Sequence, residues 1–277
     1  VTVNGRISDS SYGGYRAIKF FIRPILRMVK QFCVQTDLDA RRLESLGVDK
    51  QNIQVTGNVK FDLNLEAVTE IDCLAYRQKL WLFQDDKLLV CGSTHPQEEE
   101  LIFKAYQELL IAFPKLKLLI APRHPERSNQ ISRLAADYGF VPVFISSITG
   151  ACPTCMNNQV FILDTIGELF NYYSAADIVF VGGSLIKHGG HNILEPASLK
   201  KPIIFGPYMF NFRDISELFL ANQAALMAGN SQELADKVKE LLNSNLMVKG
   251  IVERAYELII KNRGATNKNI QIIKQLN

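Results

Sequence analysis

Asp177-Ile178-Val179-Phe180-Val181-Gly182-Gly183-Ser184-Leu185-Ile186-Lys187-His188-Gly189-Gly190-His191-Asn192-Ile193-Leu194-Glu195-Pro196 holds a strand, a glycine-rich turn and a helix start in one run. The apolar residues 178–181 have the length and β-branched content of a buried parallel strand. The glycines let a ligand approach the backbone closely. The unpaired N–H groups of a first helical turn favour an anion such as phosphate. Asn192 and Glu195, three residues apart, share one helix face. A carboxylate in that place suits a ribose diol. An equally ordinary reading is a flexible turn with Asn as cap and Glu complementing the helix dipole. Alone, the stretch leaves the two readings even.

Working outward, strand-length apolar runs alternate with amphipathic stretches from Lys87 onward. Strands are expected at 87–91, 116–121, 140–145, 160–163, 178–181 and 202–205, with a short one at 225–228. Helices are expected at 98–113, 127–138, 167–176, from 192, and at 215–221, 232–243, 248–262 and 269–276. Repeated βα units imply an α/β fold with a parallel, doubly wound sheet. The first 60 residues read separately: strand 32–35, helix 37–46 stopped by Gly47, strand 53–56. They look like the tail of an earlier α/β domain. The expected division is residues 1–60 and 61–277, with the boundary inside 57–70.

In a doubly wound sheet, ligands bind beyond the carboxyl ends of the strands. Four such ends carry polar residues: Ser93-Thr94-His95, Pro122-Arg123-His124, Asp164-Thr165-Ile166-Gly167-Glu168-Leu169 and the glycine-rich stretch. Arg123 offers a planar fork suited to phosphate, or an ion pair with Glu126. Ser93 and Thr94 are hydroxyl donors or helix caps, and His95 and His124 are phosphate partners or loop residues. Backbone groups of Ile166 to Leu169 suit a base edge, while Glu168 serves equally as a first-turn acid. Lys60 is an anion partner at the boundary, or a solvated lysine.

Composition narrows the classes. Charged residues are 21% of the 277, and the net charge of +3 is too mild to argue for nucleic acid. No apolar run approaches the roughly 18 residues of a membrane span. Five cysteines at irregular spacing fit a reducing compartment. Cys152-Pro153-Thr154-Cys155 lacks the second ligand pair that zinc needs and is read as incidental. Arg16, Lys19, Arg23, Arg27 and Lys30 form a helical stripe beside Phe20, Phe21, Ile25 and Leu26. It is read as the solvated face of a core-packed helix, with contact to anionic lipid as the other reading. Pro24 is expected to start or kink that helix. Asp37-Leu38-Asp39 is read as a cap and first-turn acid rather than a metal site. The chain opens on Val1-Thr2-Val3-Asn4-Gly5 without Met, basic n-region or apolar h-region, so it is read as a piece of a longer protein.

Six stretches in order resemble the motif set of Kdo transferases: Asn4-Gly5-Arg6-Ile7-Ser8, Gly57-Asn58-Val59-Lys60-Phe61-Asp62, Ser93-Thr94-His95, Ala121 to Arg127, Asp164 to Leu169 and Gly182 to Pro196. Gly206-Pro207 followed by Asn211-Phe212 completes the resemblance. Gly5 stands where the family usually has Ala. The resemblance implies GT-B architecture, with two Rossmann-like domains facing a cleft. It implies transfer of 3-deoxy-D-manno-octulosonic acid (Kdo) from CMP-Kdo to a lipid A precursor in lipopolysaccharide synthesis. Residues 1–60 would end an acceptor-binding domain, and 61–277 would hold the donor. Pro122, Arg123, Ile166, Gly167, Glu168, Leu169, Asn192, Ile193, Leu194 and Glu195 become the implied CMP contacts. Ser93, Thr94, His95, His124, Gly190 and Lys60 are further donor contacts.

The resemblance also implies inverting transfer with no metal and no cofactor, at the cytoplasmic face of the inner membrane. The family's general base is a Glu from a region preceding these residues, so no residue here inherits that role. The chain alone is therefore expected to be inactive. A different UDP-sugar transferase or epimerase, and a nucleotide-binding module without catalysis, are the competing readings.

Overall fold

The computed structural model describes residues 1–63, 70–150 and 158–276. Its contacts form two compact units, Val1–Asn64 with Ile259–Asn277, and Leu65–Leu258. Cys152 and Cys155 lie outside the described residues.

In the first unit, strands β1 (Thr2–Gly5), β2 (Phe32–Val34) and β3 (Ile53–Val55) make a parallel sheet with β2 central. Helices α1 (Asp9–Ala17) and α2 (Lys19–Arg27) link β1 to β2, and α3 (Asp37–Leu46) links β2 to β3. The core joins Phe32, Val34, Leu43 and Val48. α3 ends at Gly47, whose φ of 99° is the left-handed cap that favours glycine. Its N-cap is Thr36, not Asp37: the Thr36 hydroxyl oxygen accepts from Asp39 N–H. The Asp39 carboxylate accepts from Ile7 N–H at 2.9 Å, tying the segment after β1 to α3.

The cationic stripe departs from its expected setting. The helix breaks at Ile18, where φ is −105° and ψ 23°, and α2 then runs through Pro24. No residue of α2 is buried, and Phe20 and Phe21 are 85% and 74% exposed. The helix does lean on the core of this unit, through the half-buried Leu26, but Phe20, Phe21 and Ile25 are open like its cations.

The last residues also differ from the sequence reading, which grouped them with the donor domain. α12 (Ala265–Leu276) packs in the first unit. The Asp62 carboxylate accepts from Gly264 N–H and Thr266 N–H, both at 2.6 Å, and so caps this helix from 202 residues away. That side-chain cap carries no local sequence signal. It also starts α12 four residues earlier than the apolar periodicity suggested.

The second unit is built on seven parallel strands: β4 (Lys87–Thr94), β5 (Leu116–Pro122), β6 (Val141–Phe144), β7 (Gln159–Ile162), β8 (Ile178–Val181), β9 (Ile203–Phe205) and β10 (Leu226–Met227). Their order across the sheet is β10-β9-β8-β4-β5-β7-β6. Helices α4 (Glu70–Lys79), α5 (Glu98–Ala112), α6 (Ser128–Asp137), α7 (Leu169–Ala175), α8 (Leu194–Ser198), α9 (Arg213–Ala221), α10 (Ser231–Asn243) and α11 (Asn245–Asn262) connect or follow them. α11 is the helix by which the chain leaves this unit.

Every residue of β5, β7 and β8 is buried, which is why they read as continuous apolar runs rather than alternating ones. One core cluster joins Leu89, Phe103, Tyr106, Leu118, Ile120 and Phe180 with residues of α10 and α11. α4 was not foreseen. It is anchored by Arg77, which donates to Asp177 Oδ2 at 3.0 Å and to the Ala175 carbonyl at 2.9 Å.

Candidate functional site

β8, β4, β5 and β7 are consecutive in the sheet and all parallel, so their carboxyl ends line one edge side by side. These are the four strands whose ends carry the polar motifs. The chain winds outward from β4 on the β5 side, then returns to place β8 on β4's other flank. The edge between β4 and β8 is thus a topological switch point, where open α/β sheets form a crevice.

The glycine-rich loop there is held by a carboxylate that sequence reasoning did not single out. Glu98, on the first turn of α5, is fully buried. Its two oxygens accept from the N–H groups of Gly183 at 2.7 Å, Ser184 at 3.0 Å and Leu185 at 2.9 Å. His95 N–H adds a fourth contact at 3.3 Å. Burial lifts the Glu98 carboxyl to about 6 against the downward pull of these donors, which leaves it ionised at neutral pH.

This corrects one expectation: three glycine-loop amides are committed to Glu98 and are not offered to a phosphate. Gly190 N–H is likewise committed, to the Gly183 carbonyl at 2.8 Å. Gly182 must lack a side chain for a related reason. A Cβ there would lie 2.6 Å from the Ser93 carbonyl oxygen, so the loops after β4 and β8 pack backbone to backbone.

The helix expected from Asn192 is the five-residue α8, beginning at Leu194. Asn192 Oδ1 accepts from Leu194 N–H at 3.1 Å, and Asn192 Nδ2 donates to Glu195 Oε1 at 3.1 Å. A helix this short carries little dipole, so its field is not a main source of anion stabilisation. Glu195 is half-buried, and burial raises its carboxyl, opposed by Asn192 and the charge of Arg123. Ile193 and Leu194 are buried, so only their backbone can meet a ligand.

Arg123 follows β5 with its side chain exposed and its N–H bonded to the Thr94 carbonyl at 3.0 Å. Its charge is felt at both Glu195 and His191, which places it in the same crevice. The pairing with Glu126 considered from the sequence does not form. Glu126 instead approaches His124 Nδ1, at 3.5 Å. Pro122, the last residue of β5, is buried.

Thr94 is fully buried and donates its hydroxyl to Glu99 Oε1 at 2.9 Å. Glu99 also takes both terminal nitrogens of Arg127, at 2.8 and 3.2 Å. Thr94 and Arg127 therefore brace the base of the site rather than line it. Ser93 sits at the irregularity in the β4–β5 register with φ 57°.

Beyond β7, Ile166 is 87% exposed, and Leu169 opens α7 with Glu168 as the residue before it. Thr165 donates its hydroxyl to Glu168, and Lys79 Nζ lies 3.6 Å from Glu168 Oε1. Gly167, at φ 87°, keeps this turn open. Lys60 stands on a short 3₁₀ turn of the first unit.

The chain's four histidines, at 95, 124, 188 and 191, gather at this edge, although only 188 and 191 are neighbours in the sequence. From the centroid of His95, the other rings lie at 3.6 Å (His188), 5.1 Å (His191) and 6.1 Å (His124). His95 Nε2 is 2.8 Å from His191 Nε2. Burial, then the neighbouring histidines and Arg127, push His95 down to about 4. Burial, then Arg123 and the other rings, do the same to His191. Both imidazoles are neutral at pH 7. Separately, an apolar cavity of about 380 Å³ opens in the first unit, among residues such as Ile7, Ile25, Leu26 and Phe32.

The profile of the 3-deoxy-D-manno-octulosonic-acid transferase (kdotransferase) family matches residues 1–63, and that of the group 1 glycosyl transferases matches 154–258. A 3-deoxy-D-manno-octulosonic acid transferase of Haemophilus influenzae is 36% identical over 277 residues, covering 99% of this chain and 63% of that protein. The chain thus spans about three fifths of that relative's length. The C-terminal CMP-Kdo binding domain of WaaA from Acinetobacter baumannii superposes with a TM-score of 0.63 at 29% identity, covering 68% of this chain and 96% of that one. HepE of Anabaena, solved with UDP and glucose, superposes at 0.58 and 15% identity over 99% of this chain and 70% of its own, a likeness of fold alone.

The parallel sheet, its switch-point crevice and these likenesses define a chain of the GT-B glycosyltransferase class. Within that class, the relatives that it matches are 3-deoxy-D-manno-octulosonic acid transferases.

Proposed function

We propose that the whole protein transfers Kdo from CMP-Kdo to a lipid A precursor, and that the second unit holds the CMP moiety. The observation that carries this reading is the alignment of Arg123, the Ile166–Leu169 turn and Glu195 beyond adjacent parallel strands. The likeness to a domain described as CMP-Kdo binding supports the choice of nucleotide. Glu195 would accept from the ribose hydroxyls. The Ile166–Leu169 backbone would meet the base, and Arg123 would pair with the phosphate. As CMP leaves, negative charge grows on that phosphate, and Arg123 stabilises it where a divalent metal would serve elsewhere. Transfer is inverting in this reading: an acceptor hydroxyl, deprotonated by a Glu of the preceding region, attacks the anomeric carbon. No other cofactor enters.

The acceptor is a lipid, which puts the work at the cytoplasmic face of the inner membrane. The open Phe20, Phe21 and Ile25 beside Lys19, Arg23 and Arg27 support contact with an anionic surface. None of the described helices is long and apolar enough to cross a membrane.

Calorimetric titration with CMP, with UMP as control, tests the donor reading. Selective CMP binding that Glu195→Ala weakens at least tenfold is expected. A folded chain that binds CMP and UMP equally, or whose Glu195→Ala variant binds as before, overturns it.

A further inference from the structure

We propose that His95, His188 and His191 form a binding site for a borderline transition-metal dication of the zinc, cobalt(II) or nickel(II) class. Among the described residues this is the one group of three metal-ligating side chains close enough to share an ion, its ligand atoms all within 4.8 Å of one another. The site stands on this geometry alone and does not depend on the nucleotide reading.

The donor set selects the ion. Three imidazoles suit zinc and its neighbours, whereas magnesium and calcium require oxygen ligands that this trio does not provide. His95 Nε2 and His191 Nε2 face each other at 2.8 Å, sharing one proton. Two nitrogens at about 2.0–2.1 Å from a tetrahedral ion stand roughly 3.3 Å apart. Opening the pair by about half an ångström therefore admits the metal. The shared proton moves to Nδ1 of the ring that carried it, so these two rings bind without net proton release.

His188 completes the set. Its ring lies over that of His95, and its exposure leaves it free to rotate a nitrogen toward the pair. His95 is buried and fixed through its own N–H to Glu98, and His191 belongs to the loop whose preceding amides Glu98 also holds. Two ligands are thus preorganised and one is mobile. A three-histidine set leaves one coordination position for water or an anionic oxygen.

Titration of the tag-free chain with cobalt(II), followed by visible absorption and by calorimetry, tests the site. One equivalent with the intense d–d bands of four-coordinate cobalt is expected. His188→Ala, which removes an exposed side chain, should weaken binding at least tenfold without shifting the melting temperature. His188→Ala with His191→Ala should abolish it. Cys152→Ser with Cys155→Ser should leave it unchanged. Absence of binding to the wild-type chain overturns the proposal. So does binding unaffected by the histidine variants, or a thiolate-to-cobalt charge-transfer band that disappears with the two cysteines.

Discussion

At the scale of the residue, the crevice separates side chains that face a ligand from those that hold the walls. Arg123, exposed at the crevice, belongs to the first kind in the proposed reading. Charge-assisted hydrogen bonds are worth about 1.5–3 kcal/mol, so Arg123→Ala should weaken CMP binding by about one to two orders of magnitude. The melting temperature should stay nearly unchanged, because the side chain is exposed. Calorimetry and a thermal melt read the two effects separately.

Glu98 belongs to the second kind. Replacing it by Gln keeps one acceptor oxygen but turns an amide NH₂ toward N–H groups that need an acceptor. A buried donor left unsatisfied costs about 1–3 kcal/mol, so Glu98→Gln should lower unfolding stability by about that much. Because the loop it fixes borders the crevice, CMP affinity should fall in the same variant. Denaturant unfolding with unchanged stability would show that the loop does not depend on this carboxylate.

At the scale of the element, most strands and helices follow from local pattern, and the departures have local causes. The break between α1 and α2 falls at Ile18 rather than at Pro24, which is carried inside α2 as its sixth residue. The cap on α12 is supplied by Asp62, far away in the chain. Burial disfavours the Asp62 charge, but the N–H groups of Thr266 and Gly264 and the nearby Arg263 outweigh it, and the carboxyl is held below its usual value.

A depressed carboxyl stabilises the fold above its unfolded pKa, near 4, and loses that contribution as pH falls through the lower folded value. Asp62→Asn should therefore destabilise the chain at pH 7, by about 1 kcal/mol as cap losses run. The difference from wild type should shrink toward pH 3. Melting curves across that range check it, and a gap that widens on acidification would contradict the assignment.

At the scale of the molecule, the seven-stranded sheet is what places β8, β4, β5 and β7 side by side. Its stability rests on residues such as Leu118, fully buried on β5 between β4 and β7. Leu118→Ala removes buried methyl groups and leaves a cavity, at a cost of about 2–5 kcal/mol. Urea unfolding of the variant should show a midpoint shifted by that amount with an unchanged slope. A shift below about 1 kcal/mol would mean that the sheet relaxes into the space.

The sequence by itself determined the α/β class, the strand and helix order of the second unit from Lys87 onward, and the resemblance to one family. Each rests on information within a few residues or on ordered motifs: apolar runs such as Ile178 to Val181, turns rich in glycine, caps near their helices. The stretches carrying Ser93, Arg123, Ile166 and Glu195 were likewise legible, because polar residues just past an apolar run stand out.

The tertiary structure alone decided which of these residues face the crevice. Thr94 reads as a site residue but joins Arg127 in a buried network with Glu99. Glu98, one acid in a run of three, became the carboxylate that holds the glycine-rich loop. His95 and His124 reached the His188–His191 loop, and Asp62 its helix, only through long-range contacts. The physical reason is common to all of them. Hydrogen bonds and side-chain clusters between residues tens to hundreds apart depend on strand order and register, which adjacent residues do not encode.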